Sequence, residues 1–274
     1  MAAAEPLAKT AADPMVVVDN LHVVYRVFGS KSDKGTAATA LWRILRRQRR
    51  PSVREVHAIR GISFVANRGD AVGVIGRNGS GKSTLLRAIA GLLPPEQGVV
   101  YTTGHASLLG VNAALLDDLT GERNVVVCGL AMGMTPREVK DKYQGIVDFS
   151  GVGDFINLPM RAYSTGMGSR LRFAIASARS HEVLLIDEAL VTGDAEFRVR
   201  SRQRIEELRA QAGTVFIVAH SMAQIEETCN RVIWLEKGQI VRAGDDVPAI
   251  IDAYLAATGG EPLVREGAKN PLTP

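Results

Sequence analysis

The chain has almost no cysteine, no long apolar run and no strong charge bias, and each shortage removes a class of protein. Only Cys128 and Cys229 occur in 274 residues. Both lie in apolar periodic stretches and there is no C-x-x-C. This excludes a disulfide framework, points to a reducing compartment, and leaves two small buried side chains as the reading of both cysteines. The longest apolar run, Val125 to Met134, is broken by glycines and falls well short of the ~20 residues that span a bilayer. Met1 to Pro14 holds Glu5 and Asp13 and no apolar block, so it reads as a solvated tail and not as a secretory signal. Glu261 to Pro274 has the same tail character. The net charge of +4 and pI near 9.2 suit an anionic partner without identifying one. The chain is therefore cytosolic, or held at a membrane by something else. No internal repeat is visible. The length fits one large α/β domain or two small ones, and a hydrophobic fraction of 46% supplies a sizeable core.

What is present is dominated by Gly76-Arg77-Asn78-Gly79-Ser80-Gly81-Lys82-Ser83. It matches G-x-x-x-x-G-K-[ST], the phosphate-binding loop of nucleotide triphosphatases. The glycines let backbone N–H groups turn inward and approach phosphate oxygens with no Cβ in the way. Lys82 adds a compact positive charge near the β- and γ-phosphates, and the Ser83 hydroxyl suits Mg²⁺, which prefers oxygen ligands. A helix beginning near Lys82 aims its positive dipole end at the same anion. Asn78, Gly79, Ser80 and Thr84 complete the expected ATP cradle. The flanks fit: Ala71 to Ile75 reads as a buried strand and Thr84 to Ala90 as a helix. That context separates a working loop from a Gly-rich turn that binds nothing.

Elsewhere, Val16 to Phe28 alternates like a strand pair around Asp19-Asn20, and Val56 to Val65 resumes strand character before the turn Asn67-Arg68-Gly69-Asp70. Gly98 to Thr102 reads as a strand. A helical stretch follows from about Gly121 to Ala178. Within it Thr135-Pro136-Arg137-Glu138 predicts an N-cap, a proline at N1 and a glutamate at N3. Val183 to Ile186, Val215 to Val218 and Val232 to Leu235 read as strands, alternating with helices over Ala195 to Ala212, Met222 to Cys229 and Val247 to Ala257. This alternation implies a parallel sheet, with the helical middle inserted as a subdomain, being too long for a loop.

The strand ending at Ile186 runs into Asp187-Glu188. Ligands of open α/β sheets sit at the carboxyl ends of strands. Asp187 is then placed to hold Mg²⁺ and Glu188 to polarise an attacking water. The alternative is a helix N-cap with a solvated neighbour. The next strand delivers His220 in the same way, within reach of a γ-phosphate or the attacking water.

Phosphate loop, long helical insertion, acidic pair and strand-end histidine together resemble the ATP-binding cassette of ABC transporters. The resemblance implies an α/β P-loop NTPase fold, with a RecA-like parallel sheet, an antiparallel β region and an inserted helical subdomain. It also implies ATP and Mg²⁺ as ligands. The family's signature, usually L-S-G-G-Q, corresponds to Tyr163-Ser164-Thr165-Gly166-Met167, opening a basic helix from Gly168 to Arg179. Ser164 and Gly166 keep the hydroxyl and the close-approaching backbone. In the family this motif completes the site of a second, head-to-tail copy, so ATP joins a dimer. Tyr25 falls where the family stacks an aromatic on adenine; a core aromatic of the strand is the other reading. Two departures stand out. No glutamine lies between His105 and Thr120, with Asn112 the nearest polar candidate, and the family's S-A-L-D loop reads Val191-Thr192-Gly193-Asp194-Ala195.

Asp187-Glu188 followed by Gly193 to Phe197, the Tyr-Ser-x-Gly-Met signature, Leu119-Thr120-Gly121 before Asn124, and Trp234-Leu235-Glu236 resemble one branch of that family: the ATPase subunits of polysaccharide exporters for O-antigen, capsule, teichoic acid and galactan. The likeness covers Met15 to about Thr258, giving an ATPase domain over 15–258 with tails at 1–14 and 259–274. It implies hydrolysis of ATP beneath two copies of a transmembrane permease, on the cytoplasmic face of the plasma membrane, and export of a lipid-linked polysaccharide. A form without a carbohydrate-binding domain and of this basic character is similar to the galactan exporters of mycobacterial-type cell walls.

Residues 29–55 are an insertion relative to generic cassettes. Across Leu41 to Arg50 a helix would gather Leu41, Trp42, Ile44 and Leu45 on one arc and Arg43, Arg46, Arg47 and Arg50 on the other. The resemblance implies that residues 38–50 lie against anionic lipid headgroups; a solvated charged loop is the bland reading, and nucleic acid is not an expected partner. Two other classes compete. A nucleic-acid- or ribosome-associated cassette usually carries two cassettes or long coiled-coil insertions, and neither occurs here. A small-molecule kinase rarely separates its lysine and aspartate by about a hundred residues.

Overall fold

The computed structural model describes residues 13–28, 53–109, 115–187, 195–219 and 221–263. Two long strands, β1 (Pro14–Phe28) and β2 (Val53–Asn67), pair antiparallel, and β4 (Gln97–Thr102) pairs with the other edge of β1. The alternation around Asp19-Asn20 reads as a strand pair, but the chain forms one strand there. Val18 faces Phe64 and Leu21 faces Ile62, so β1 carries one extra residue. Asn20 absorbs it at φ 46°, with its N–H donated to Ser63 Oγ at 2.8 Å. Asp-Asn, a turn signal by composition, is here a bulge that keeps the long pairing in register.

The main sheet has six strands in the order β5 (Ala106–Leu109), β6 (Val183–Asp187), β7 (Thr214–Val218), β3 (Ala71–Ile75), β8 (Arg231–Glu236) and β9 (Gln239–Gly244). The first five run parallel and β9 returns antiparallel to β8. Every residue of β6 and β7 is buried, because both faces of the sheet are covered. Leu85, Leu86 and Ile89 of α1 (Lys82–Ile89), together with Val16, Leu21 and Ile59 of the antiparallel sheet, pack on one face. The other face receives Leu208 of α5 (Ala195–Gln211), Ile225 of α6 (Met222–Thr228) and Ile250 and Ile251 of α7 (Val247–Thr258).

The inserted layer consists of α2 (Gly121–Ala131), α3 (Pro136–Ser150), two short 3₁₀ turns (Gly153–Asn157 and Met160–Ala162) and α4 (Thr165–Ala176). It has its own core around Val125, Ile146, Leu171 and Ile175. The capping box at Thr135 forms in both directions, and Pro136 occupies N1. Glu138 is held below the usual carboxylate range by the Thr135 backbone and side-chain donors. α4 begins at Thr165, three residues before the expected Gly168, because Ser164 caps it by accepting from Met167 N–H at 3.2 Å. It ends at Ala176.

The return from this layer to the sheet is pinned by side chains. Arg204 on α5 donates two bonds to Ser177 O at 3.0 and 2.7 Å. Arg179 donates to Met132 O at 3.0 Å, and buried His181 donates from Nε2 to Ala176 O at 3.1 Å. Burial pushes the His181 imidazole below its ordinary pKa, with Arg179 and His105 acting in the same direction and the Ala176 carbonyl and Glu182 opposing. Both cysteines are buried and their thiols are raised by that burial, which leaves little thiolate to react. No helix among the described residues is long and apolar enough to cross a membrane.

Candidate nucleotide-binding site

Strand β3 enters the sheet apolar and leaves it through the phosphate loop. The loop turns sharply back to α1 because its glycines sit where side chains would collide. A Cβ on Gly76, at φ 148°, would lie 2.2 Å from Leu235 O and 2.6 Å from Ser80 Oγ. Gly81, at φ 111°, occupies the N-cap of α1 with no side-chain cap, so the first-turn amides face outward as anion donors.

Lys82 Nζ donates to Gly76 O at 2.7 Å and to Arg77 O at 3.0 Å, lying across the loop it serves. Burial holds its pKa below the ordinary lysine value, and Asp187 pulls the other way. Ser83 Oγ donates to Asp187 Oδ2 at 2.8 Å, a contact between residues 104 apart in sequence. Asp187 is 6% exposed, at the end of a fully buried strand. Octahedral Mg²⁺ with ligands at ~2.0–2.1 Å places neighbouring oxygens about 2.9 Å apart. The hydroxyl–carboxylate spacing therefore fits two adjacent positions on that ion.

Tyr25 stands over the start of α1, its hydroxyl 3.4 Å from Thr84 Oγ1. Tyr25, Asn78, Gly79, Gly81, Lys82, Ser83, Thr84 and Asp187 all border one cavity of about 500 Å³. Ser80 is buried beneath it, and its Oγ has no hydrogen-bond partner among the described residues. Ser164 and Gly166 are not among the described residues lining that cavity. Ser164 caps α4, and a Cβ on Gly166 would meet only Ser164 Oγ, at 3.9 Å, so this helix end is open.

Glu188, His220, Asn112 and Val191 to Asp194 lie outside the described residues, as does the basic stretch Leu41 to Arg50. The strand ends that precede Glu188 and His220 are neighbours, with Asp187 opposite Val218.

The sequence did not single out the rest of the cavity wall. Val56, His57, Ala58 and Arg60 on β2, and Lys237 in the β8–β9 turn, line it. Gly238, at the second position of that two-residue turn, is the one residue there that signals it. In the sequence Asn124 stands only as part of a pattern with Leu119-Thr120-Gly121. Fully buried, it accepts from Leu116 N–H at 2.7 Å and donates to the carbonyls of Leu116, Leu119 and Thr120 at 3.0, 3.3 and 3.0 Å. It thus fastens the segment entering the helical layer to the first turn of α2.

Residues 59–191 match the family model described as "ABC transporter". The teichoic acids export ATP-binding protein TagH of Bacillus anthracis is 39% identical over 198 residues, which is 72% of this chain and 36% of that protein. The chain thus spans about a third of the length of that relative. The O-antigen export system ATP-binding protein RfbB of Klebsiella pneumoniae is 37% identical over 205 residues, covering 74% of this chain and 83% of that protein. Among solved structures, a dimeric ATP-binding cassette in a post-hydrolysis state with ADP and Pi superposes with a TM-score of 0.61 at 19% identity, over 84% of this chain and 98% of that one. The last likeness bears on the fold.

Proposed function

The chain belongs to the ABC transporter family, and from that premise we propose that it is the ATP-hydrolysing subunit of a lipid-linked polysaccharide exporter. The observation that carries the ATPase reading is the contact of Ser83 Oγ with Asp187 Oδ2 at 2.8 Å, beside Lys82 in the same cavity. These residues bind and orient a triphosphate. Ser83 and Asp187 would hold Mg²⁺, which supplies positive charge to the phosphate oxygens. Lys82 exchanges carbonyl partners for phosphate ones, and the outward amides of α1 meet the same anion. Glu188 polarises the attacking water and His220 bonds to the γ-phosphate or that water. Tyr25 stacks on the base. Ser164 and Gly166 close over the nucleotide of a second, head-to-tail copy, so each subunit completes the other's site.

The relatives' roles in teichoic acid and O-antigen export, as their names state them, support polysaccharide export as the process. A membrane-spanning permease, in two copies, is the partner, and the place of work is the cytoplasmic face of the plasma membrane. Val126, Val127 and Leu130 give α2 an exposed apolar side that such a partner would cover. The sequence of residues 38–50 supports contact with anionic headgroups near the entering glycan. The finer assignment of the cargo, cell-wall galactan, rests on the likeness of this basic sequence to galactan exporters.

The test uses the chain with its permease in vesicles. Glu188→Gln should bind ATP normally and release almost no phosphate, and Ser164→Glu with Gly166→Glu should stop turnover without weakening ATP binding to the single subunit. Full-rate hydrolysis by either variant rejects the shared-site scheme. Export that persists after neutralising Arg46, Arg47, Arg49 and Arg50 rejects the headgroup role.

A further inference from the structure

The turn joining β8 to β9 is built into the phosphate loop. Glu236 pairs with Gln239, leaving Lys237 and Gly238 as a two-residue turn with φ of 50° and 80°. Two successive positive φ values make a hairpin turn that favours Asn-Gly or Gly-Gly, and a lysine at the first position is disfavoured by its Cβ. The second position cannot change: a Cβ on Gly238 would sit 2.5 Å from Ala58 O. Gly238 N–H donates to Ser80 O at 2.9 Å, and Gly238 O accepts from Arg60 N–H at 2.8 Å. The turn is therefore clamped between the loop and β2, and whatever stands at 237 has a fixed origin relative to the loop.

What stands there is an exposed lysine bordering the same cavity as Asn78, Gly79 and Lys82. No ion pair among the described residues involves it. An ammonium on a four-carbon stem, anchored beside Ser80 and with no carboxylate partner among the described residues, is a donor-only group that suits a polyanion. We propose that Lys237 is a second phosphate-directed cation of the nucleotide site, acting from the rim on the triphosphate that Lys82 holds from below. This deepens the nucleotide-binding reading above and rests on it. Because Lys237 is exposed, its pull is screened by salt and scales with the charge of the ligand.

The backbone separates charge from structure. Glycine and asparagine both accept a left-handed conformation, so Lys237→Gly and Lys237→Asn delete the ammonium while keeping the turn. ATP, ADP and AMP are titrated calorimetrically into the full chain, with thermal melting as the check on folding. Both variants should melt no lower than the parent. At about 50 mM KCl they should bind ATP roughly three- to tenfold more weakly, ADP less so and AMP almost unchanged, with the ATP gap closing near about 500 mM; Lys237→Arg should keep most of the affinity. Parental ATP affinity in Lys237→Gly at low salt overturns the proposal. So does an equal loss for ATP and AMP at both salts, which would mark a structural role. If the parent itself binds no ATP, or Lys82→Ala binds it equally well, the nucleotide reading falls, and this proposal falls with it.

Discussion

Replacing Asn124 with alanine should loosen the helical layer by an amount that can be worked from its contacts. The side chain makes three hydrogen bonds of 3.0 Å or less and a fourth at 3.3 Å. At about 1 kcal/mol each for the three short bonds, the direct loss is ~3 kcal/mol. The Leu116 amide is also left without its acceptor, which adds up to about 1 kcal/mol, because Leu116 is half exposed and water can reach it. A total of ~3–4 kcal/mol corresponds to a melting shift of roughly 6–16 °C for a chain of this size. Circular dichroism melts at neutral pH measure it. Asn124→Asp supplies the control. It keeps the Oδ1 acceptor but aims a buried carboxylate at three carbonyl oxygens, so its folded pKa rises above the unfolded ~3.9. Between those two values the folded state binds more protons, and stability must fall as pH rises. The aspartate variant should therefore recover on acidification, since a protonated carboxyl can donate where the amide did, and the alanine variant should not share that recovery. A loss below about 1 kcal/mol for alanine, or an aspartate variant that gains stability toward alkaline pH, refutes the reasoning.

Two further outcomes follow from the geometry. Gly76→Ala should depress ATP affinity at least tenfold and lower the melting point, because Leu235 O belongs to a strand that cannot retreat and overpacking of this kind costs about 1–3 kcal/mol. Gly79→Ala carries the left-handed strain of φ 80° but meets nothing within 4 Å, so it should cost less in both assays than a substitution that adds a clash to such strain, and equal effects from the two would refute the clash. His181, held neutral by burial, contributes stability that is present above its unfolded pKa of ~6.5 and is lost as pH falls toward its lower folded value. Melting of the parent should thus drop more steeply than that of His181→Gln between about pH 7 and 5.5, by up to about 1.4 kcal/mol per unit of pKa separation; parallel pH profiles would remove His181 from this role.

Legibility in the sequence tracked how local the determining physics is. The strand–loop–helix at 71–89, the apolar runs Val183–Ile186 of β6 and Val215–Val218 of β7, and the capping box at Thr135 each declare themselves within a few residues. β5 does not declare itself, since four residues carry no period. β9, spelled Gln-Ile-Val-Arg-Ala-Gly, is equally silent because an edge strand that returns antiparallel need not be apolar. The bulge at Asn20 is defined only by its partner strand 43 residues away. Ser83 meeting Asp187 could be expected from the chemistry of the motif. Lys237 could not, because nothing in its neighbourhood of the sequence says that the turn rests on Ser80. Asn124 was visible as a pattern, but its fourfold grip on the backbone belongs to the folded loop alone.

The position of β3 has a consequence for biogenesis. It is hydrogen-bonded to β7 on one side and β8 on the other, and both are made some 140 or more residues after it. A ribosome working at ~5–20 residues per second leaves that strand without either neighbour for roughly 7–30 s. Long-range parallel pairing of this kind is slow and exposes sticky apolar segments in the meantime. The nascent polypeptide should therefore depend on holding chaperones until its last third emerges, and a fragment cut before residue 214 should aggregate with an intact motif and no working pocket.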